Sequence, residues 1–100
     1  FYDLGAITVD VQKHEVTISG ERVDLTPKEF ELLRMLAAHA GKTVPREELL
    51  REIWDREEDT KTRTLDVHVG RLRQKIETGS DIPNIIITVP GVGYRLLAPE

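Results

Sequence analysis

The hydrophobic spacing within residues 62–77 fits an α-helix that buries one narrow face. Apolar side chains recur there at intervals of four, three and four residues, at Leu65, Val69, Leu72 and Ile76. Because consecutive residues of an α-helix are rotated by about 100°, these side chains share one arc of the helix surface. The pattern predicts a helix over about 62–77 that packs on a core through this arc.

The face opposite that arc combines positive charge with hydrogen-bonding and small apolar groups. On it or on its shoulder lie Arg63, Thr64, Val67, His68, Arg71, Gln74 and Lys75. Arginine donates bidentately to guanine, glutamine pairs with adenine, and a small apolar group can contact a thymine methyl. Thr64 and Lys75 are better suited to phosphates, which position a helix without reading sequence. This mixture is typical of a recognition helix in a DNA major groove.

Charge along the chain is unevenly distributed. The net charge is −4, yet residues 60–76 contain five basic residues and a single acidic one, Asp66. An acidic total weighs against phosphate binding, but a basic segment on an acidic body indicates an oriented binding surface. A basic helix face is most often only a solvated surface. Exposed Val67 and the helix-weakening Gly70 favour a binding surface here. For Arg73, an ion pair with Glu77 is at least as good an interpretation as a DNA contact.

The residues before this helix predict a small sheet and two further helices. Apolar and polar residues alternate up to Leu25, as in an antiparallel meander with one buried face and a turn at 19–22. The segment 26–29 then supplies a threonine cap, a proline at the first helical position and a glutamate three residues after the cap. Gly41 ends that helix, and a short second helix follows Pro45.

The C-terminal residues predict a β-hairpin over 85–97. Two apolar runs are separated there by Pro90-Gly91-Val92-Gly93, a sequence typical of a turn. A hairpin that directly follows a short helix and a basic amphipathic helix gives the order of a winged helix-turn-helix.

Several linked motifs along essentially the whole chain resemble the OmpR/PhoB family of response-regulator output domains. These motifs are residues 25–33, 46–54, 63–76 and 88–95. The resemblance implies an α+β fold, a winged helix-turn-helix with an N-terminal four-stranded antiparallel sheet, three helices and a C-terminal β-hairpin wing. A single domain is expected to span residues 1–100.

The resemblance also implies which residues contact DNA. The matching positions are Arg63, Thr64, Val67, His68, Arg71 and Arg73 on the recognition helix, Trp54 before it, and Thr88 and Tyr94 in the wing. Trp54 is equally well interpreted as a core residue with one exposed edge. Pro90 stands where many relatives place an arginine that enters the minor groove, so wing contacts are expected to be weaker or to pass to Arg95. Gly70 replaces a residue that is usually large, and Pro45 replaces a serine cap.

Partners follow from the same resemblance. It implies an N-terminal receiver domain whose phosphorylation by a cognate sensor kinase promotes dimerisation on tandem half-sites of double-stranded DNA, in the cytoplasm and without a membrane. The isolated domain is expected to be a monomer that dimerises on DNA. The segment that family members use toward RNA polymerase is Asp55, Arg56, Glu57, Glu58 and Asp59.

Other function classes have little support in the sequence. There is no cysteine, and His14, His39 and His68 lack a zinc-binding spacing. The chain contains no glycine-rich phosphate loop, nucleophile elbow or paired-carboxylate motif, so we expect neither catalysis nor a cofactor nor a metal. The remaining alternative is a winged-helix protein-interaction module whose outward face binds an acidic partner, which the net negative charge and Pro90 slightly favour.

Overall fold

The chain begins with a four-stranded antiparallel sheet, as expected. The computed structural model describes residues 2–5, 7–54, 62–77 and 85–97. The strands are β1 Tyr2–Leu4, β2 Ile7–Asp10, β3 Glu15–Ile18 and β4 Glu21–Val23, in the order β1-β2-β3-β4. Ser19 and Gly20 both have positive φ angles, which a two-residue hairpin turn requires. The turn between β3 and β4 is therefore shorter than the predicted 19–22.

Three helices follow the sheet. They are α1 Pro27–Ala38, α2 Arg46–Ile53 and α3 Thr62–Ile76. The predicted capping box at the start of α1 is confirmed, because Thr26 Oγ1 accepts from the Glu29 amide at 3.2 Å and the Thr26 amide donates to Glu29 Oε1 at 2.9 Å. Gly41 has the expected positive φ of 85°, but it lies two residues beyond the C-cap His39, and its amide donates to the Leu96 carbonyl and not to a carbonyl of the helix. Pro45 precedes α2 and supplies no side-chain cap.

The apolar arc of α3 is completely buried. Leu65, Val69, Leu72 and Ile76 each have 0% exposure and pack into one core with the apolar residues of α1 and the first sheet. Burying a side chain of this size stabilises the folded state by about 1.5–3 kcal/mol. The arc therefore fixes the rotation of α3 about its own axis, as the hydrophobic spacing predicted.

The wing is part of a three-stranded sheet. The predicted hairpin consists of β6 Ile86–Val89 and β7 Gly93–Leu96, and a third strand, β5 Thr43–Pro45, pairs with β7 on its other side. Strand β5 is not predicted from the sequence, because three residues that include a proline carry no alternating pattern. Since α2 starts immediately after β5, this pairing attaches α2 to the wing.

Gly93 allows that pairing. A Cβ atom at residue 93 would lie 2.0 Å from the carbonyl oxygen of Val44 on β5, far inside van der Waals contact. The backbone amide of Arg46, the first residue of α2, also donates to the carbonyl of Val92 in the wing turn at 3.0 Å. The start of α2 and the wing turn are thus held together by backbone contacts.

Candidate nucleic-acid interface

The outward face of α3 is exposed along its length. Arg63, Arg71 and Gln74 are exposed, and the side chain of Val67 between them has 43% exposure although it is apolar. Five of the predicted contact residues line one shallow depression on this face: Arg63, Thr64, Val67, His68 and Arg71. The helix therefore presents one guanidinium group on each side of a small apolar group, and the opposite face of the helix is the buried apolar arc.

His68 is oriented by two neighbours. Its Nδ1 lies 2.8 Å from the carbonyl oxygen of Thr64, and a carbonyl can only accept, so Nδ1 donates and Nε2 is the remaining ring nitrogen. The ring of Trp54 contacts it edge-on, with 5.0 Å between the ring centroids. His68 thus has a fixed ring orientation on the shoulder of the α3 face.

Trp54 is a core residue. Its exposure is 4%, and the ammonium group of Lys28 lies 5.2 Å from its ring centroid while donating to the carbonyl of Ile53 at 2.7 Å. Of the two interpretations of Trp54, the structure favours the core one, in which the ring supports His68 from behind. Its burial does not support a direct DNA contact.

The ammonium group of Lys75 is bonded to the body of the domain, although the Lys75 side chain is 38% exposed. Its Nζ donates to Glu29 Oε1 at 2.6 Å, and the Glu29 side chain has only 1% exposure. Burial alone would raise the pKa of the Glu29 carboxyl, but hydrogen bonds from Lys75 and the Thr26 amide, with the positive charge of Lys75, outweigh burial and lower that pKa. The phosphate contact predicted for Lys75 conflicts with this arrangement, because its charge is committed to a buried carboxylate.

Arg73 and Glu77 contact the wing and not each other. Arg73 Nη2 donates to the Ile86 carbonyl at 2.9 Å and to Thr88 Oγ1 at 2.7 Å. Glu77 Oε2 accepts from the amides of Ile85 and Ile86 at 2.6 and 2.8 Å. The predicted alternative of an Arg73–Glu77 ion pair is wrong, because both side chains bind the backbone at the start of β6 instead.

Tyr94 points into the domain. It has 4% exposure, and its hydroxyl donates to Asp66 Oδ1 at 2.5 Å. The same oxygen accepts from Arg46 Nη2 at 2.6 Å. The DNA contact predicted for Tyr94 is therefore not supported by its position. Thr88 is exposed on β6 and Arg95 partly exposed on β7, so these two predicted wing contacts remain accessible.

The contacts of Asp66 with Arg46 and Tyr94, and of Glu29 with Lys75, are not predictable from the local sequence. Asp66 contacts residues 20 and 28 positions away, and Glu29 contacts a residue 46 positions away. No local pattern reports pairs at such separations. The one available signal was Asp66 itself, the only acidic residue in an otherwise basic helical segment.

Some predictions fall outside the described residues or concern absences. The segment 55–59, expected to face RNA polymerase, is not among the described residues. Across the parts of the chain that the structure describes, no group of three or more histidine or acidic side chains is placed to hold a metal ion. None of the described helices has both the length and the apolar character that a membrane span needs.

Comparison with known proteins identifies the family. Residues 20–96 match the family model described as "Transcriptional regulatory protein, C terminal". The chain is 41% identical over 96 residues to the DNA-binding response regulator MtrA of Mycolicibacterium smegmatis, which covers 96% of this chain and 42% of that protein. The chain thus spans less than half the length of this relative.

Solved structures agree with this assignment. The response regulator DrrB, a Thermotoga maritima OmpR/PhoB homolog, superposes with a TM-score of 0.86 and 39% identity, over 97% of this chain and 44% of that one. The Klebsiella pneumoniae RstA DNA-binding domain, solved in complex with the RstA box, gives a TM-score of 0.83 and 34% identity over 95% of this chain and 94% of that one. The chain therefore belongs to the family of C-terminal domains of transcriptional regulatory proteins, in the OmpR/PhoB group.

Proposed function

We propose that this domain binds double-stranded DNA with a sequence preference and thereby regulates transcription, with α3 in the major groove and the hairpin of β6 and β7 as the wing. The observation that carries the proposal is the exposed face of Arg63, Val67 and Arg71 above a completely buried stripe. Two arginines can each donate bidentately to guanine, and valine can contact a thymine methyl. Family membership and the DNA-bound RstA relative support the same assignment.

A selection experiment tests this proposal. The domain is used to enrich duplexes from a random library, and affinity for the selected and a scrambled duplex is then measured by fluorescence anisotropy at several salt concentrations. We expect a preference for the selected duplex and a linear fall of log affinity with log salt, by about 0.9 for each neutralised phosphate. Equal, salt-independent affinities would contradict DNA recognition and favour the winged-helix protein-interaction module.

The same proposal extends to the full-length protein. We propose that an N-terminal receiver domain, phosphorylated by a sensor kinase, promotes pairing of two copies on tandem half-sites in the cytoplasm. Support comes from the response-regulator relative, of which this chain covers 42%.

Residues 55–59 are proposed to contact RNA polymerase. Removing the acidic side chains of 55–59 should reduce transcription in vitro without changing DNA affinity, and a parallel loss of affinity would contradict that role.

A further inference from the structure

A polar cluster lies where α2, α3 and the wing meet. We call it the Asp66 junction; it consists of Arg46, Asp66, Arg73 and Tyr94. One carboxylate oxygen, Asp66 Oδ1, accepts from Arg46 Nη2 at 2.6 Å and from the Tyr94 hydroxyl at 2.5 Å. A residue on the second turn of α3 is thereby bonded both to the first residue of α2 and to the middle of β7.

Two arginines flank the ring of Tyr94. The guanidinium carbons of Arg46 and Arg73 lie 5.7 and 5.6 Å from the ring centroid, within the range of a cation–π contact. Arg73 also donates to the Ile86 carbonyl and to Thr88 Oγ1 on β6. Both strands of the wing are therefore bonded to α3, β7 through Asp66 and β6 through Arg73.

The protonation states at the junction fix the direction of these hydrogen bonds. Burial would raise the pKa of Asp66, but hydrogen bonds from Tyr94 and Arg46 and the arginine charge lower it. Burial and the hydrogen bond to Asp66 raise the pKa of Tyr94. At neutral pH, Asp66 is consequently an ionised acceptor and Tyr94 a neutral donor.

From this geometry we propose that Asp66 and Tyr94 are positioning residues that fix the angle between α3 and the wing, so that both elements engage one duplex as a unit. The inference rests on the proposed DNA binding. If the angle between α3 and the wing is already fixed in the free domain, binding DNA does not have to order the wing, and the entropy cost of binding is smaller. Side chains locked by a second layer of hydrogen bonds are the usual means of holding binding groups within a fraction of an ångström.

A double-mutant cycle on DNA tests the proposal. Tyr94→Phe removes only the hydroxyl, and Tyr2→Phe is its matched control. Arg95→Ala reports the wing contact, and Arg63→Ala reports the α3 contact. In the Tyr94→Phe background, the fold loss of affinity caused by Arg95→Ala should be smaller by about threefold or more, because a wing that is no longer held at its angle brings Arg95 to the duplex less often. The loss caused by Arg63→Ala should be unchanged.

Further variants separate positioning from simple loss of stability. Asp66→Ala should reproduce the effect of Tyr94→Phe, whereas Asp66→Asn keeps the acceptor oxygen and should retain most of the coupling. All affinities are measured at a temperature and in a buffer in which circular dichroism shows that the variant is folded. A uniform loss of affinity with an unchanged Arg95→Ala effect, or no loss at all, would overturn the positioning role.

A measurement without DNA distinguishes this inference from the proposed function. The chain has no cysteine, so spin labels can be attached at Val92→Cys in the wing turn and Gln74→Cys on α3 without first replacing any native cysteine. The label–label distance distribution should be narrow in the otherwise unaltered domain and clearly broader after Tyr94→Phe. An unchanged distribution would overturn the inference even if the domain binds DNA. Broadening in a domain that selects no duplex would contradict only the DNA-binding proposal.

Discussion

Arg71 lies between Val67 and Gln74 on the exposed face of α3 and is the side chain we expect to read a base most directly. Replacing it with alanine should lower affinity for the selected duplex by about 1–3 kcal/mol, because a bidentate pair with guanine is lost. The same change should relax the preference at one base position, which a repeated selection with the variant measures.

Arg22→Ala provides the matched control for this loss. Arg22 is an exposed arginine on β4, paired at 3.9 Å with Glu15, and lies outside the proposed interface. Its removal should leave affinity and preference as they were. If Arg71→Ala and Arg22→Ala bind the best duplex equally well, Arg71 does not read a base.

Two glycines in regular structure should respond to alanine in opposite directions. A Cβ atom at Gly70 in α3 meets no atom within 4 Å, whereas a Cβ at Gly93 would meet the Val44 carbonyl oxygen at 2.0 Å. Gly70→Ala should therefore stabilise the domain by about 0.5–1 kcal/mol, the usual helical difference between the two residues. Gly93→Ala should destabilise it by about 3 kcal/mol, at the upper end for overpacking.

Urea denaturation of the two glycine variants, followed by circular dichroism, gives both changes in unfolding free energy. Each variant serves as the control for the other, since the chemical change is the same methyl group. A Gly93→Ala domain as stable as the parent would mean that β5 does not approach β7 as closely as described.

At the residue scale, the helical spacing predicted which side chains of α3 are buried and which are exposed, but the local sequence did not predict their contact partners. The spacing of Leu65, Val69 and Leu72 was enough to place Arg71 outside, because helix geometry alone decides it. It could not show that Lys75 reaches Glu29 or that Tyr94 reaches Asp66, because these contacts depend on how distant elements pack.

At the element scale, the ion pair of Lys75 and Glu29 joins the end of α3 to the start of α1. Lys75→Met keeps the apolar stem but leaves the buried carboxylate without its cation, which should cost about 1–3 kcal/mol of unfolding free energy at neutral pH. In a Glu29→Gln background the same change should cost much less. Denaturation of the four proteins of this cycle provides the measurement.

The contribution of Glu29 should also depend on pH. Because folding lowers the pKa of Glu29 from its ordinary value of 4.5, its stabilising effect is present above that value and is lost as the pH falls through the folded-state pKa. The difference in stability between the parent and Lys75→Met should thus shrink in acid.

DNA binding separates this structural role of Lys75 from the phosphate contact that the sequence suggested. Lys75→Met should leave the salt dependence of the folded domain unchanged. A slope shallower by about one unit would instead assign Lys75 to a phosphate.

The elements themselves differed in how far the sequence revealed them. The capping box at Thr26 and Glu29 is a local signal, and it located the start of α1 correctly. Strand β5 has no such local signal, because Thr43–Pro45 is short and its strand conformation depends on pairing with β7. Elements stabilised mainly by tertiary pairing are those that sequence patterns miss.

At the scale of the whole molecule, the dimensions of the domain suit adjacent binding on DNA. Its longest extent is 38 Å, and one turn of B-DNA separates half-sites by about 34–36 Å. Two copies on tandem half-sites one turn apart would touch in an arrangement in which the long axis of each domain follows the duplex. We expect the isolated domain to sediment as a monomer and to bind a tandem duplex cooperatively at two copies per duplex.

Inserting about five base pairs between the half-sites places the second copy on the opposite side of the helix, since one turn is about 10–10.5 base pairs. Cooperativity should then be lost, while affinity for each half-site remains. Analytical ultracentrifugation and anisotropy on both duplexes measure this. Cooperativity that survives the insertion would contradict direct contact between copies.

The outward face of α3 has one further consequence. Within the described part of the chain, the side chains of Arg63, Val67, Arg71 and Gln74 contribute neither to the core nor to any hydrogen bond or ion pair with the rest of the domain. Substitutions at these four positions should therefore change the free energy of unfolding very little. A duplicated copy of such a gene could acquire a new set of target promoters by single steps, each producing a protein that still folds.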